Sequence, residues 1–363
     1  MYLGESIFDI TYLTLVVLLG VKLLLQNDGK ARLFGLMAVV LGLGDSFHLV
    51  PRVISMWSES GFAGHAPALS YGQLVTSVTM TIFYLIIYLF YKKMSGKKNN
   101  AADVAVYLLV AARIILSLMP QNNWGTAEGN FTWDILRNIP FAILGVLIVV
   151  LFFKEKQVQP LFRNLGIWII VSFACYLPVV VWSKTFPAVG ALMLPKTAAY
   201  VMIVLTGYRY FMKGFRLQSL IENSFVYMVG GIAGGVFYRE FTKFRGFEGK
   251  TSLSIVHTHL IGLGLGLSFL LYLWLRNQDK EHVKAFEKPV LIFNAGLLLT
   301  AVSFVLRGII QVLGNHFGKI PDAAISGVAG ISHIILGIGL FWVMLKVVKS
   351  SALLNSNKKE HSA

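Results

Sequence analysis

The chain has 363 residues, 56% of them hydrophobic and 13% charged, with 32 Lys and Arg against 17 Asp and Glu. A soluble domain carries about 25% charged residues, whereas the apolar residues here form runs of roughly 18 to 25, long enough to span hydrocarbon. A soluble globular fold is thereby excluded, and the net charge of +15 reads as membrane topology and attraction to lipid headgroups rather than nucleic-acid binding.

No water reaches a bilayer core to satisfy peptide groups, so each apolar run must be helical. The expected fold is all-α, a polytopic membrane protein of about eleven spans. The first run, about Ile7 to Leu25, has Glu5 just before it and Asp9 near its start rather than Lys or Arg. It reads as a retained first helix with its amino end outside, not as a signal peptide. The spans cover approximately 6–26, 33–56, 70–92, 102–120, 134–153, 164–182, 187–210, 219–238, 251–275, 289–313 and 324–347.

Basic clusters fall in alternate loops: Lys30 and Arg32, Lys92 to Lys98, Lys154 to Arg163, Arg209 to Arg216, Arg276 to Lys288, and Lys358–Lys359. The positive-inside rule makes that side cytoplasmic, with the amino terminus out and the carboxyl terminus in. The expected location is a bacterial plasma membrane, crossed many times. One loop departs from the pattern, with Arg239, Lys243, Arg245 and Lys250 mixed with Glu240 and Glu248 on the predicted outer side.

Composition shifts near Gly214–Ser219. A seven-helix part over 1–215, rich in Leu, Val and aromatics, gives way to a glycine-rich four-helix part over 216–350, then to a polar cytoplasmic tail over 351–363. Gly231 and Gly235 form a GxxxG pair, the spacing that lets membrane helices approach closely. Cys175 is the single cysteine, so no internal disulfide and no CxxCH haem attachment exist. Asn130-Phe131-Thr132 matches an acceptor sequon.

Ionisable residues within the spans are costly and usually mark function. Asp45, His48, Arg52, Arg113, Lys196, His257, His259, Arg307 and His333 all fall within about ten residues of the predicted outer end of their helix. That shared depth implies one polar chamber, or two, opening outwards. Asp45, His48 and Arg52 share one face of the second helix at i, i+3 and i+7. There a carboxylate can orient an imidazole and an arginine can bind an anion, or the three can form a structural ion-pair network. The hydroxyls of the third helix, Thr76 to Thr81, read as interhelical glue. Arg113 is expected to pair with Asp45 or Asp134, and Lys196 to snorkel, to pair, or to serve as an amine nucleophile.

On the ninth helix His257 and His259 point about 200° apart, so they suit two different partners rather than one chelated ion. His333 on the eleventh helix enters from the same side at similar depth, and Arg307 on the tenth lies nearby in depth. One imidazole from each helix can supply axial ligands to a haem or join a copper or zinc site.

The stretch Gly231 to Phe244, Val256-His257-Thr258-His259-Leu260 and then His333 resembles a family of uncharacterised four-helix bacterial membrane proteins, over the last 145 residues or so. The same HxHL element is similar to that of haem–copper oxidase subunit I and its nitric-oxide-related relatives. That resemblance implies a role for His257 and His259 as haem ligands, without the full oxidase set of copper-ligand histidines. The first seven helices invite comparison with microbial rhodopsins through Tyr176, Pro178 and Lys196, but Gln73 and threonines occupy the third helix in place of an acidic counterion.

The first functional expectation is therefore a membrane protein that binds haem or a transition metal through His257, His259 and His333. Asp45, His48, Arg52, Arg113, Lys196 and Arg307 would then serve ligand or proton coupling. The second is a transporter or receptor for a small anionic solute that uses the same polar layer, and the third an assembly or scaffold protein. No catalytic residue is assigned, so enzymatic activity stays open. The absence of a Walker loop means that nucleotide-driven work would need a further membrane subunit. The partners expected are the bilayer and a small-molecule or cofactor ligand.

Overall fold

The computed structural model describes residues 2–97, 99–155, 160–212, 214–314 and 319–360. Lys98, Lys156 and Lys213 of the basic clusters lie outside them. The chain is an all-α polytopic membrane protein, with eleven helices long and apolar enough to cross a bilayer. We number them α1 (Tyr2–Leu24), α2 (Gly29–Trp57), α3 (Ala66–Ser95), α4 (Asn100–Leu118), α5 (Phe131–Lys154), α6 (Leu161–Trp182), α7 (Met193–Phe211), α8 (Leu217–Phe244), α9 (Leu253–Leu275), α10 (Glu287–Val312) and α11 (Lys319–Glu360). Each expected span has its helix. The last runs on through the predicted polar tail as far as Glu360.

The helix ends are set by local chemistry. Asp28, Asn99 and Asn130 sit at the amino ends of α2, α4 and α5, each accepting a backbone N–H of the first turn through its side-chain oxygen. Asn130, which the sequence also offers as a sequon, thus has a capping role. Gly96, at φ 65°, closes α3 in the left-handed region that glycine adopts without a Cβ penalty.

The helices form two compact units, Gly4–Lys213 and Gly214–Ala363. In the first, α2 packs along α3, α4 along α5, and α6 along α7. Gly72 decides how closely α2 and α3 meet. A Cβ there would strike the Phe47 carbonyl and lie 2.8 Å from His48 Cα. The half of this unit nearest the basic loops is filled by aromatic rings, including Phe34 on Phe90 at 5.1 Å and Phe152 on Phe162 at 4.7 Å. At that end Lys97 pairs with the buried Glu155 carboxylate at 2.9 Å, which holds the ammonium above the usual lysine range.

In the second unit α10 and α11 form the tightest pair. A Cβ on Gly296 would lie 2.5 Å from Leu336 Cα, and one on Gly339 would lie 2.5 Å from Phe293 Cα. Within α9, residues His259–Leu265 adopt a wider π-helical turn. Such turns often accompany functional residues.

Candidate functional site

The half of the seven-helix unit away from the basic loops is hollow. A cavity of about 250 Å³ lies among α2 to α7, and its wall carries Asp45, His48, Gln73, Arg113, Asp134, Arg137, Asn138, Tyr176, Lys184, Lys196 and Tyr200. Leu49, Met80, Phe131, Phe141, Val179 and Val180 supply apolar wall between them. Helices α2, α5 and α6 each contain an internal proline, at Pro51, Pro140 and Pro178. Proline removes a rung of the helical ladder and favours a bend, and all three lie within a turn or so of wall residues.

Four of the sequence-derived candidates, Asp45, His48, Arg113 and Lys196, meet in this cavity. Their partners differ from those expected. Asp45, 7% exposed, accepts the Tyr12 hydroxyl at 2.6 Å, and His48 Nδ1 faces the Leu69 carbonyl at 3.3 Å. The carboxylate therefore does not orient the imidazole. Arg52 leaves the group altogether and pairs with Glu5 at 2.6 Å. Glu5, on α1 and 47 residues away in sequence, takes its charge.

Arg113 also lacks the carboxylate partner expected of it. Asp134 pairs with Arg137 at 2.7 Å, one turn along the same helix, and Asp45 turns to Tyr12. Arg113, 2% exposed, donates instead to the Arg137 carbonyl and lies over the Phe141 ring at 4.8 Å. Its Nε, like that of Arg137, has no hydrogen-bond partner. Lys196 Nζ stands over the rings of Tyr176 (4.8 Å) and Tyr200 (5.4 Å). Among the described residues it has no hydrogen bond or ion pair within 4.0 Å.

The wall thus has four cations, Arg113, Arg137, Lys184 and Lys196, against two carboxylates, Asp45 and Asp134. An uncompensated buried charge costs several kcal/mol, so the arrangement favours an anion. Sequence reasoning missed Arg137 and Asn138, and named Tyr176 only in the comparison with rhodopsins. The available signal was the i, i+3, i+4 spacing of Asp134, Arg137 and Asn138 on one apolar helix.

In the four-helix unit the histidines separate. His259 and His333 face each other with ring centroids 6.2 Å apart, both against the Phe304 ring at 4.9 and 5.3 Å. Each turns Nδ1 to a carbonyl four residues earlier on its own helix, Ile255 at 3.0 Å and Ala329 at 2.7 Å. A carbonyl only accepts, so in the neutral ring Nδ1 carries the proton and Nε2 keeps its lone pair. His257 lies instead beside Gly235 of α8, with Nδ1 buried and unpartnered. Arg307 is half-buried on α10, one turn from Phe304. Among the described residues no group of three or more His, Cys, Asp or Glu is gathered to hold a metal.

Residues 217–350 match the family model described as a protein of unknown function (DUF2871). The match spans α8 to α11, the stretch whose motifs resemble an uncharacterised family. No curated protein and no solved structure matches the chain. The likeness of Val256–Leu260 to an oxidase helix therefore stands on those residues alone.

Proposed function

We propose that the seven-helix unit binds a small organic anion in its cavity, as the ligand site of a transporter or receptor. The observation that carries this reading is the buried Lys196 and Arg113, both facing the cavity with no ion pair within 4.0 Å among the described residues, Asp45 acting on Lys196 only from farther off. An anion supplies the missing compensation, the Arg113 fork suits a carboxylate, and the apolar wall suits an organic body. The volume is below the roughly 300–1,000 Å³ of drug-sized sites, which points to a metabolite-sized ligand. Positive-inside topology would open the cavity outwards, with the aromatic rings closing its inner end.

Thermal unfolding of the purified protein with acetate, lactate, succinate, benzoate or phosphate tests the reading. At least one organic anion should stabilise the wild type, by about 2.7 kcal/mol at a hundred times its Kd. Lys196→Met should lose that response. Equal responses of Lys196→Met and wild type, or none to any of the five, would defeat the proposal.

A second reading, for the four-helix unit, is supported by His259 and His333, whose rings face each other with Nδ1 turned to own-helix carbonyls. Two neutral imidazole nitrogens on neighbouring helices suit copper, zinc or a haem iron, with any further ligands coming from outside the pair. When bound, such an ion supplies Lewis-acid or electron-transfer chemistry. His259 and His333 would hold it, and their own-helix carbonyls would fix the ring orientation. Calorimetric titration with Co(II) or Cu(II), and absorption spectra after adding haemin, should show binding that His259→Ala or His333→Ala lowers at least tenfold and His257→Ala preserves. Identical binding in all three variants would end this reading.

A further inference from the structure

The interface between α1 and α2 carries polar groups at three successive turns. Outermost, Glu5 meets Arg52, with Nη2 at 2.6 Å and Nε at 2.8 Å from the same carboxylate oxygen. One turn deeper is Asp9, 4% exposed, whose Oδ2 is buried without a partner. One turn deeper again, the Tyr12 hydroxyl donates to Asp45 Oδ2 at 2.6 Å, and Asp45 forms part of the cavity wall. Glu5, Asp9 and Tyr12 are spaced i, i+4 and i+7, one face of a helix. An apolar residue at position 9 would pack against α2 at no electrostatic cost, so a lone buried carboxyl there calls for a function.

We propose that Glu5, Asp9, Tyr12 and Asp45 form a proton path from the helix ends to the cavity, so that anion binding is coupled to proton uptake. A proton from water enters beside Glu5 and is taken by Asp9. Asp9 passes that proton towards the Tyr12 hydroxyl oxygen and returns to a carboxylate, while Tyr12 gives its own proton to Asp45 Oδ2 and ends unchanged. Asp45 becomes a neutral carboxylic acid, and its charge no longer offsets Lys196. The wall then has four cations against Asp134 alone, and one anion enters per proton.

Apart from Arg52, which pairs with Glu5, the charges facing this path belong to it or to the cavity. Asp9 faces Glu5 on its own helix and Arg52 and Asp45 on α2. Asp45 faces Tyr12 on α1 and Lys196 on α7, and His48, on the same helix as Asp45, faces Arg52 and Lys196.

The coupling rests on the anion reading, whereas the path does not, and two measurements separate them. Infrared difference spectra of the ligand-free protein between acid and alkaline pH should show carboxyl carbonyl bands, one lost in Asp9→Asn and another in Asp45→Asn. Tyr12→Phe should keep both bands but slow hydrogen–deuterium exchange at the Asp45 band, which a merely structural role would not do. Spectra of both Asn variants identical to wild type would overturn the path. Succinate affinity should then rise about tenfold per unit fall in pH in the wild type, and show no such slope in Asp45→Asn. The same slope in both proteins would overturn the coupling. Missing bands with normal succinate binding would refute the path alone, while normal bands with no response to acetate, lactate, succinate, benzoate or phosphate at any pH would refute the anion reading.

Discussion

Arg113→Ala should lower affinity for the anion that stabilises the wild type by on the order of a hundredfold. The guanidinium is 2% exposed, sits over Phe141 and keeps one donor unpartnered. Truncating one member of a buried charge pair costs about 2–5 kcal/mol, and in the bound state Arg113 would be such a member. The substitution also removes the donor to the Arg137 carbonyl, so some loss of stability should accompany it. Arg113→Lys separates the two effects. It restores the charge without the planar fork, and should recover part of the affinity if a carboxylate is gripped by both nitrogens. Titration calorimetry across the three proteins measures this, and wild-type affinity in Arg113→Ala would exclude the residue from the site.

Gly296→Val should unfold or splay the four-helix unit. The added Cβ would lie 2.5 Å from Leu336 Cα and 2.8 Å from the Ile335 carbonyl carbon. Both are backbone atoms of α11, and no rotamer change can clear them. Overpacking of this kind typically costs about 1–3 kcal/mol and more when backbone must move. Gly339 makes the reciprocal contact with Phe293, so a shift that relieves one glycine loosens the other. Because α10 carries Phe304 and α11 carries His333, the variant should also separate His333 from His259 and weaken metal binding. Thermal unfolding in detergent should show the lower melting point, and an unchanged one would contradict the packing described here.

The span count was readable because the cost of an unpaired peptide group in hydrocarbon leaves only one solution for each long apolar run. The ionisable residues inside those runs also stood out before their neighbours were known, and Asp45, His48, Arg113 and Lys196 line one cavity. Partner choice could not be read. Arg113 was expected beside Asp134, but Arg137 stands one turn from that carboxylate on the same helix and takes it. Arg52 was grouped with Asp45 by helical spacing, yet Glu5 reaches it across forty-seven positions of sequence. Asp9 entered only as an acidic residue near the start of the first apolar run, since nothing in its neighbours reveals that α2 buries it. His257 and His259 could be sent to different sides from the 100° step of a helix, but which of them would meet His333 depended on how α9 turns against α8 and α10.

The order of residues alone therefore determined an all-α membrane chain and the position of each crossing. Both follow from local transfer energies that each segment bears by itself. Rotation of the helices about their axes and the competition between charges for partners were decided only when the helices packed. Those choices depend on side chains distant in sequence, and they brought Asp45, Arg113 and Lys196 to the wall of one cavity.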